Sequence, residues 1–542
     1  MPRTPRVIVG CVLCGALSFL AFAEVRPATL DDAFILLVQA KHLAEHGSIY
    51  WNASDGRVDG CTSFLDLVLK AGVLRLFGHD GLRNAFELTR ALQLAIPALG
   101  IALFLRMKPL GSDDRNLAAG LFAGMLLATN PAIAEGSSYL LETPLYVALG
   151  ILLAGTFLAT KRYTPMASAI LTAEAILLSL ARPEGGILAV AVLLAAALDQ
   201  TKPREDRLPW AALLIFAAVM ASYFAWHAVY FGEWAPNTYY AKTSASRLNE
   251  VSDGLDYVFA YARTVPGAVA LAPMVALAAV AIAGNLDSAR RFQVMVILGG
   301  CLALLGAVIF SGGDCYSGGR FLALPTALGA MGLVLAWTGV SGPAGRPVLA
   351  FILLLAAAQT IPVLQNVPVA TKRLNEWPVA DETYHCVREQ AASLEAAIPG
   401  GTVAETDFQI IKYYGEDLRV LDLCGLTDRE IAHRPVLDHV RWGKVDLMDV
   451  VRRRPDAFLW GTTPGRRRSM ADVSMHQILT DPHTHHYFTR VEALPSPEIA
   501  SGFEALYVPA AYPVCGAWFN VVIRKDLAPG FAAAGYRIGT TE

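Results

Sequence analysis

Ala28-Thr-Leu-Asp31-Asp32-Ala-Phe-Ile-Leu-Leu-Val-Gln-Ala-Lys-His-Leu-Ala-Glu-His46-Gly47 follows the first apolar run of the chain directly. It places two adjacent carboxylates at the edge of that run. An ionised Asp in or near hydrocarbon is costly, so such residues usually have a task. Behind them Leu36, Leu37, Ala40, Leu43 and Ala44 form one apolar stripe, and Gln39, Lys41, His42, Glu45 and His46 fall elsewhere. That spacing predicts an amphipathic helix on a membrane surface, stopped at Gly47. Asp32 alone would serve as its cap. A pair at this place favours a function.

The rest of the chain supplies the membrane. Of 542 residues 54% are hydrophobic and only 17% charged, and the mean hydropathy is +0.43. Soluble domains carry roughly 25% charged residues, so this is a polytopic membrane protein. The formal charge of -3 and the lack of a basic tail give no sign of nucleic acid as a partner. Met1–Arg6 is basic and precedes an apolar run of about signal-peptide length, with Ala21-Phe-Ala23 fitting a cleavage site. An uncleaved first helix is expected instead, because the Asp pair needs an anchor close by.

Apolar runs lie near 7–23, 88–105, 117–130, 139–160, 166–181, 186–200, 209–230, 267–284, 292–310, 321–339 and 347–365. They predict about eleven crossings. The run at 62–78, broken by Asp66, Lys70 and Arg75, reads as a second interfacial helix. If every run crosses, five basic loops share the side of the N-terminus. They hold Arg106, Lys108 and Arg115; Lys161 and Arg162; Lys202, Arg204 and Arg207; Arg290 and Arg291; and Arg346. The positive-inside rule makes that side cytoplasmic. From about 368 polar and charged residues alternate with short strand-like runs, Gly401-Thr-Val-Ala-Glu, Leu418-Arg-Val-Leu-Asp-Leu and Asp456-Ala-Phe-Leu-Trp460. The expected layout is a helical membrane domain over 1–367 and a soluble α/β domain over 368–542 on the extracytoplasmic side of a plasma membrane.

Charged residues in apolar contexts collect on that outer side. Besides Asp31 and Asp32 these are Glu142, Glu184 and Asp314, with Arg182, Lys242, Arg320 and His227 as cations or potential cations. Transfer of a sugar from a lipid phosphate needs this combination. A carboxylate takes the acceptor's proton, and a phosphate leaving group needs cations. Trp51, Trp234, Tyr239 and Tyr240 suit stacking on sugars, and Trp234, Tyr239 and Tyr240 equally suit an interfacial aromatic belt. Each piece has a plainer reading. Arg182-Pro183 ends a helix and snorkels, the glycine pairs at 312–313 and 318–319 make turns, and Glu142-Thr-Pro144 starts a helix.

Asp31-Asp-Ala-Phe-Ile, Trp51-Asn52, Val58-Asp-Gly-Cys-Thr-Ser-Phe-Leu65, Leu141-Glu142-Thr-Pro-Leu-Tyr and Ala181-Arg-Pro-Glu-Gly185 occur in this order. Tyr230-Phe-Gly-Glu-Trp-Ala-Pro-Asn-Thr-Tyr-Tyr-Ala-Lys242, Gly312-Gly-Asp, Gly319-Arg-Phe-Leu322 and Gly425-Leu-Thr-Asp-Arg-Glu-Ile-Ala432 follow. The chain thereby resembles the bacterial GT-C glycosyltransferases, in particular the group with the mycobacterial terminal β-(1→2) arabinofuranosyltransferase. The resemblance implies a GT-C membrane domain of about 11 transmembrane helices plus interfacial helices. It also implies a polyprenyl-phosphate sugar donor, a glycan or other cell-envelope acceptor, and an inverting, largely metal-independent transfer with no cofactor. Its usual base, an Asp of the first external loop, maps onto Asp31 or Asp32. Arg182, Lys242, Arg320 and His227 would then serve the donor phosphate, and Trp51, Glu142, Glu184, Asn237, Tyr239 and Asp314 the sugar and acceptor. Cys61 and Cys315 stand where the group tends to carry aromatics, and are either bridged or two separate thiols. The sugar need not be arabinose. A transporter or flippase of a lipid-linked sugar is the rival reading, and would be expected to show internal repeats and midplane charges.

Overall fold

The computed structural model describes residues 3–24, 32–78, 81–110, 112–199, 208–243, 246–314, 316, 318–340, 342–375, 379–406, 410–435, 447–459, 467–484 and 495–539. The chain divides into two compact units. The first comprises Met1–Thr29, Thr62–Trp226 and Ser246–Asn375. The second comprises Leu30–Cys61, His227–Ala245 and Glu376–Glu542. The second unit therefore takes in two segments that a linear reading leaves with the membrane part.

Among the described residues seven helices are long and apolar enough to cross a membrane. They are Thr4–Ala23, Gly81–Met107, Leu208–Phe231, Val265–Ala283, Ser288–Phe310, Arg320–Gly339 and Gly342–Gln365. Asp113–Ala128 and Pro131–Ser138 form an eighth candidate bent by 48°. Thr143–Ala159, Pro165–Ala181 and Gly185–Leu198 are apolar but shorter. The expected eleven crossings are reached only if the bent pair and all three short helices cross. The bend has a local cause: Asn130 leaves the helix in extended conformation and its side chain accepts from the Ala132 and Ile133 amides, with Pro131 next.

In the first unit the helices Thr143–Ala159 and Ala323–Gly339 are buried nearly all round, as a helix without a polar face must be. Lipid is as apolar as leucine, so such helices associate through close packing rather than hydrophobic expulsion. Small residues allow it. Gly150 receives the Leu324 side chain, Gly332 receives Leu277 and Ile297, and Gly254 lets the helix Arg247–Arg263 rest on the Ile309 backbone. Large apolar side chains such as Leu214, Val275, Ile282 and Leu354 point outward, as lipid-facing residues do. In the helix Phe64–Phe77 two charged residues also turn inward. Asp66, Leu67, Lys70, Ala71 and Leu74 are buried, and Val68, Leu69, Leu76 and Phe77 are exposed.

The second unit holds a six-stranded mixed sheet. Its strands are β1 (Thr402–Glu405), β2 (Arg419–Asp422), β3 (Ala457–Leu459), β4 (Tyr507–Val514), β5 (Ala517–Arg524) and β6 (Arg537–Ile538), in the order β2-β1-β3-β5-β4-β6. β1 pairs in parallel with β2 and β3, and the remaining pairs are antiparallel. β1, β2 and β3 coincide with the three strand-like runs of the sequence. The edge strand β2 is blunted by a side chain: Asn52 donates to the Val420 carbonyl at 2.8 Å and accepts its amide at 2.9 Å. A disulfide joins Cys386 of the helix Val379–Ala397 to Cys515 at the β4–β5 turn, Cα–Cα 5.9 Å. Cys424, the third cysteine of residues 368–542, is outside the bridge. Cys315 lies outside the described residues, and with it the Cys61–Cys315 question.

Helix Asp32–His46 ends as the sequence predicts, with Gly47 at φ 66 as its stop. Its buried surface is wider than one stripe and includes Gln39 and His42. Gln39 is satisfied there: it donates to the Val58 carbonyl at 2.7 Å and accepts the Gly60 amide at 3.3 Å.

Candidate active site

The matched motifs sort into two constellations, one in each unit. In the first unit Leu141–Tyr146, Ala181–Gly185, Gly312–Asp314 and Gly319–Leu322 converge. Glu142 and Glu184 each occupy the residue before a helix, yet neither side chain caps it. Both carboxylates turn instead to Arg182. Its Nη1 donates to Glu142, its Nη2 to Glu184 at 3.1 Å and its Nε to Glu184 at 3.3 Å. Arg182 is 7% exposed, so it does not snorkel. Burial alone would push the Glu184 carboxyl up, but the Arg182 guanidinium holds it below the usual range.

Arg320 binds Asp314 with two donors, Nε to Oδ2 and Nη2 to Oδ1 at 3.0 Å. Such a fork fixes the plane of a guanidinium as a single contact does not. The two arginines share a ring: Cζ of Arg182 and Cζ of Arg320 lie 4.4 and 5.2 Å from the centre of Phe321. The glycines beside them are required by space. Gly313 has φ 68 and a Cβ there would stand 2.5 Å from Tyr257; one on Gly318 would overlap the Glu135 carboxylate. Glu135 accepts the Tyr139 hydroxyl at 2.8 Å. Near them Lys70 and Asp66 form a buried pair, in which burial pushes the Asp66 carboxyl up against the pull of the Lys70 ammonium.

The second unit gathers Val58–Cys61, Tyr230–Lys242 and Gly425–Ala432. Asp59 is central. Its Oδ2 lies 2.9 Å from His227 Nε2, its Oδ1 accepts the Cys61 amide at 3.2 Å, and its carbonyl accepts the Asn237 amide at 2.7 Å. His227 Nδ1 is 2.7 Å from the Glu233 carbonyl, which only accepts, so Nδ1 carries a proton. The contact to Asp59 then needs a second proton, on the ring or the carboxyl. Asn237 donates to the Gly425 and Leu426 carbonyls at 2.8 and 3.1 Å. Asp422 accepts the Thr427 amide at 2.8 Å, the Thr427 hydroxyl at 3.1 Å and the Cys424 amide at 2.9 Å, which orders the loop that Asn237 meets. Trp51 is buried, its indole N–H on the Val420 carbonyl at 2.9 Å.

Of the residues singled out by sequence, Arg182, Arg320, Glu142, Glu184 and Asp314 therefore come together. Trp51, His227, Asn237, Tyr239 and Lys242 belong to the other unit, with Tyr239 and Lys242 exposed. Asp32 is the first residue of its helix, and Asp31 lies outside the described residues. Asp59 and Phe321 stood inside quoted motifs without being singled out, and Glu135 stood outside them. For the two acids the signal was a carboxylate in an apolar setting. For Phe321 nothing separated it from core.

In fold the chain is similar to solved structures of low sequence identity. ArnT from Cupriavidus metallidurans in the apo state matches 96% of this chain and 98% of its own, at 12% identity and TM-score 0.54. The same protein bound to undecaprenyl phosphate matches 77% of this chain and 86% of its own, at 12% identity and TM-score 0.49. The mycobacterial arabinofuranosyltransferase AftD matches 76% of this chain but 32% of its own, at 16% identity and TM-score 0.44. Residues 378–515 match a family described as a domain of unknown function (DUF8728). No curated protein matches the chain in sequence.

Proposed function

We propose that the chain is a glycosyltransferase that moves a sugar from a polyprenyl-phosphate donor to a cell-envelope acceptor, with inversion. The acceptor hydroxyl oxygen attacks the anomeric carbon, the bond to the phosphate oxygen breaks, and Asp31 or Asp32 takes the hydroxyl proton. The phosphate departs with the electron pair, and Arg182 and Arg320 are assigned to receive its charge. The observation that carries this reading is the burial of both guanidiniums beside Phe321 in an apolar unit, each fixed by carboxylates. Cations held in a dry, preorganised setting are what a departing phosphate needs. ArnT, whose fold this chain shares, binds undecaprenyl phosphate. That ligand is the natural first probe.

His227, Asn237, Tyr239 and Lys242 keep their proposed donor and acceptor roles as the finer part of this reading. So does the placing of 1–367 in a plasma membrane, N-terminus in the cytoplasm, with 368–542 outside. The Cys386–Cys515 bridge supports that placing, since disulfides persist in oxidising compartments. The test is to incubate purified protein in lipid with polyprenyl-phosphate pentoses and hexoses and an oligosaccharide acceptor. Release of polyprenyl phosphate that depends on the acceptor supports transfer; lipid-linked sugar crossing the bilayer intact would favour a flippase.

A further inference from the structure

Lys70 and Asp66 are a charged pair placed on the inward face of a helix whose outward face is apolar. Their side chains are 1% and 3% exposed. Burying such a pair costs several kcal/mol per ion and is often no more stabilising than a hydrophobic pair of similar volume. Its presence therefore asks for a purpose beyond stability. The geometry gives one. Lys70 Nζ donates to Asp66 Oδ2 at 2.7 Å and to the Leu140 carbonyl at 2.9 Å. Leu140 has φ 58, a left-handed conformation that a leucine adopts only when its surroundings hold it there. Two residues on, Glu142 reaches Arg182. Asp66 is itself held at the helix start, where Ser63 accepts its amide.

We propose that Lys70 is a positioning residue: it tethers the strained Leu140 turn and so aims Glu142 at Arg182, setting the guanidinium that receives the donor phosphate. The tether rests on the distances above, and its bearing on the donor rests on the function proposed for Arg182. Neither Lys70 nor Asp66 hydrogen-bonds to Arg182. The chain of action runs from Asp66 through Lys70, the Leu140 carbonyl and Glu142.

The experiment uses the full chain in lipid nanodiscs, with undecaprenyl phosphate as the probe. Lys70→Met alone leaves Asp66 buried without its cation and risks unfolding. Asp66→Leu/Lys70→Met removes both charges and the tether together. The double variant is expected to keep the thermal midpoint of the parent and to exchange the amides of 139–143 faster. It should bind undecaprenyl phosphate about tenfold or more weaker, as a misplaced binding group does. Lys70→Arg, which restores a donor to the Leu140 carbonyl, should recover most of the affinity. Unchanged exchange at 139–143 would overturn the tether. Faster exchange with unchanged affinity would overturn the positioning role. If the parent binds no undecaprenyl phosphate, the phosphate reading of Arg182 falls, and faster exchange in the double variant still upholds the tether.

Discussion

Arg182 and Arg320, far apart in the chain, stand with their guanidinium carbons 4.4 and 5.2 Å from the centre of one ring, that of Phe321. Each is charge-balanced by its own carboxylates, Glu142 and Glu184 for the first and Asp314 for the second. Removing one partner of such a set leaves the other charge buried. Arg182→Met is accordingly expected to destabilise by on the order of 3–5 kcal/mol, and Arg320→Met similarly. Arg182→Lys and Arg320→Lys keep the charge but lose the fork, so their midpoints should fall less while undecaprenyl phosphate binding weakens in both. Thermal unfolding and lipid-phosphate binding in nanodiscs read the two effects separately.

A second expectation concerns backbone space. Gly318→Ala forces a Cβ into the Glu135 carboxylate, which also holds the Tyr139 hydroxyl. Overpacking of this kind typically costs about 1–3 kcal/mol. Gly306→Ala is the control, since a Cβ there meets nothing within 4 Å. Its midpoint should be unchanged or higher, and equal losses in the two variants would count against the packing described.

His42 supplies a pH dependence. It is buried under Tyr50, ring centres 4.0 Å apart, with Nδ1 2.9 Å from the Tyr50 carbonyl. Burial, with Lys412, His46 and Lys41 nearby, pushes its pKa down to about 4, although the Tyr50 carbonyl pulls the other way. The unfolded chain takes up this proton near pH 6.5, before the folded chain does. The stability contribution is therefore complete above about pH 6.5 and is lost as pH falls toward 4, by about 3 kcal/mol. His42→Phe should flatten this limb of a plot of midpoint against pH; an unchanged slope would show that His42 does not titrate as described.

Much of this was legible in sequence because it is local. Apolar runs marked the spans, Gly47 marked a helix end, and three short β-type runs became β1, β2 and β3. Partners were not legible, because they are chosen by tertiary packing. Trp51 reads as a sugar platform, and its indole N–H is taken by the Val420 carbonyl. Arg182-Pro183 does end a helix, but the side chain goes to Glu184 of its own turn and Glu142 of a distant one rather than to headgroups. Asp66 and Lys70 were read as breaks in an apolar run, when their spacing of four residues already put them on one face of a helix. The run at 139–160 hid a left-handed Leu140 that no periodicity reveals.

The central claim is an Asp-assisted transfer from a polyprenyl-phosphate sugar. The most direct test compares the parent with Asp31→Asn and Asp32→Asn in single-turnover transfer to an oligosaccharide, with binding of the donor measured alongside. The account predicts that one of the two variants loses at least about a hundredfold in turnover while its donor affinity stays nearly that of the parent. Full turnover in both variants would contradict it.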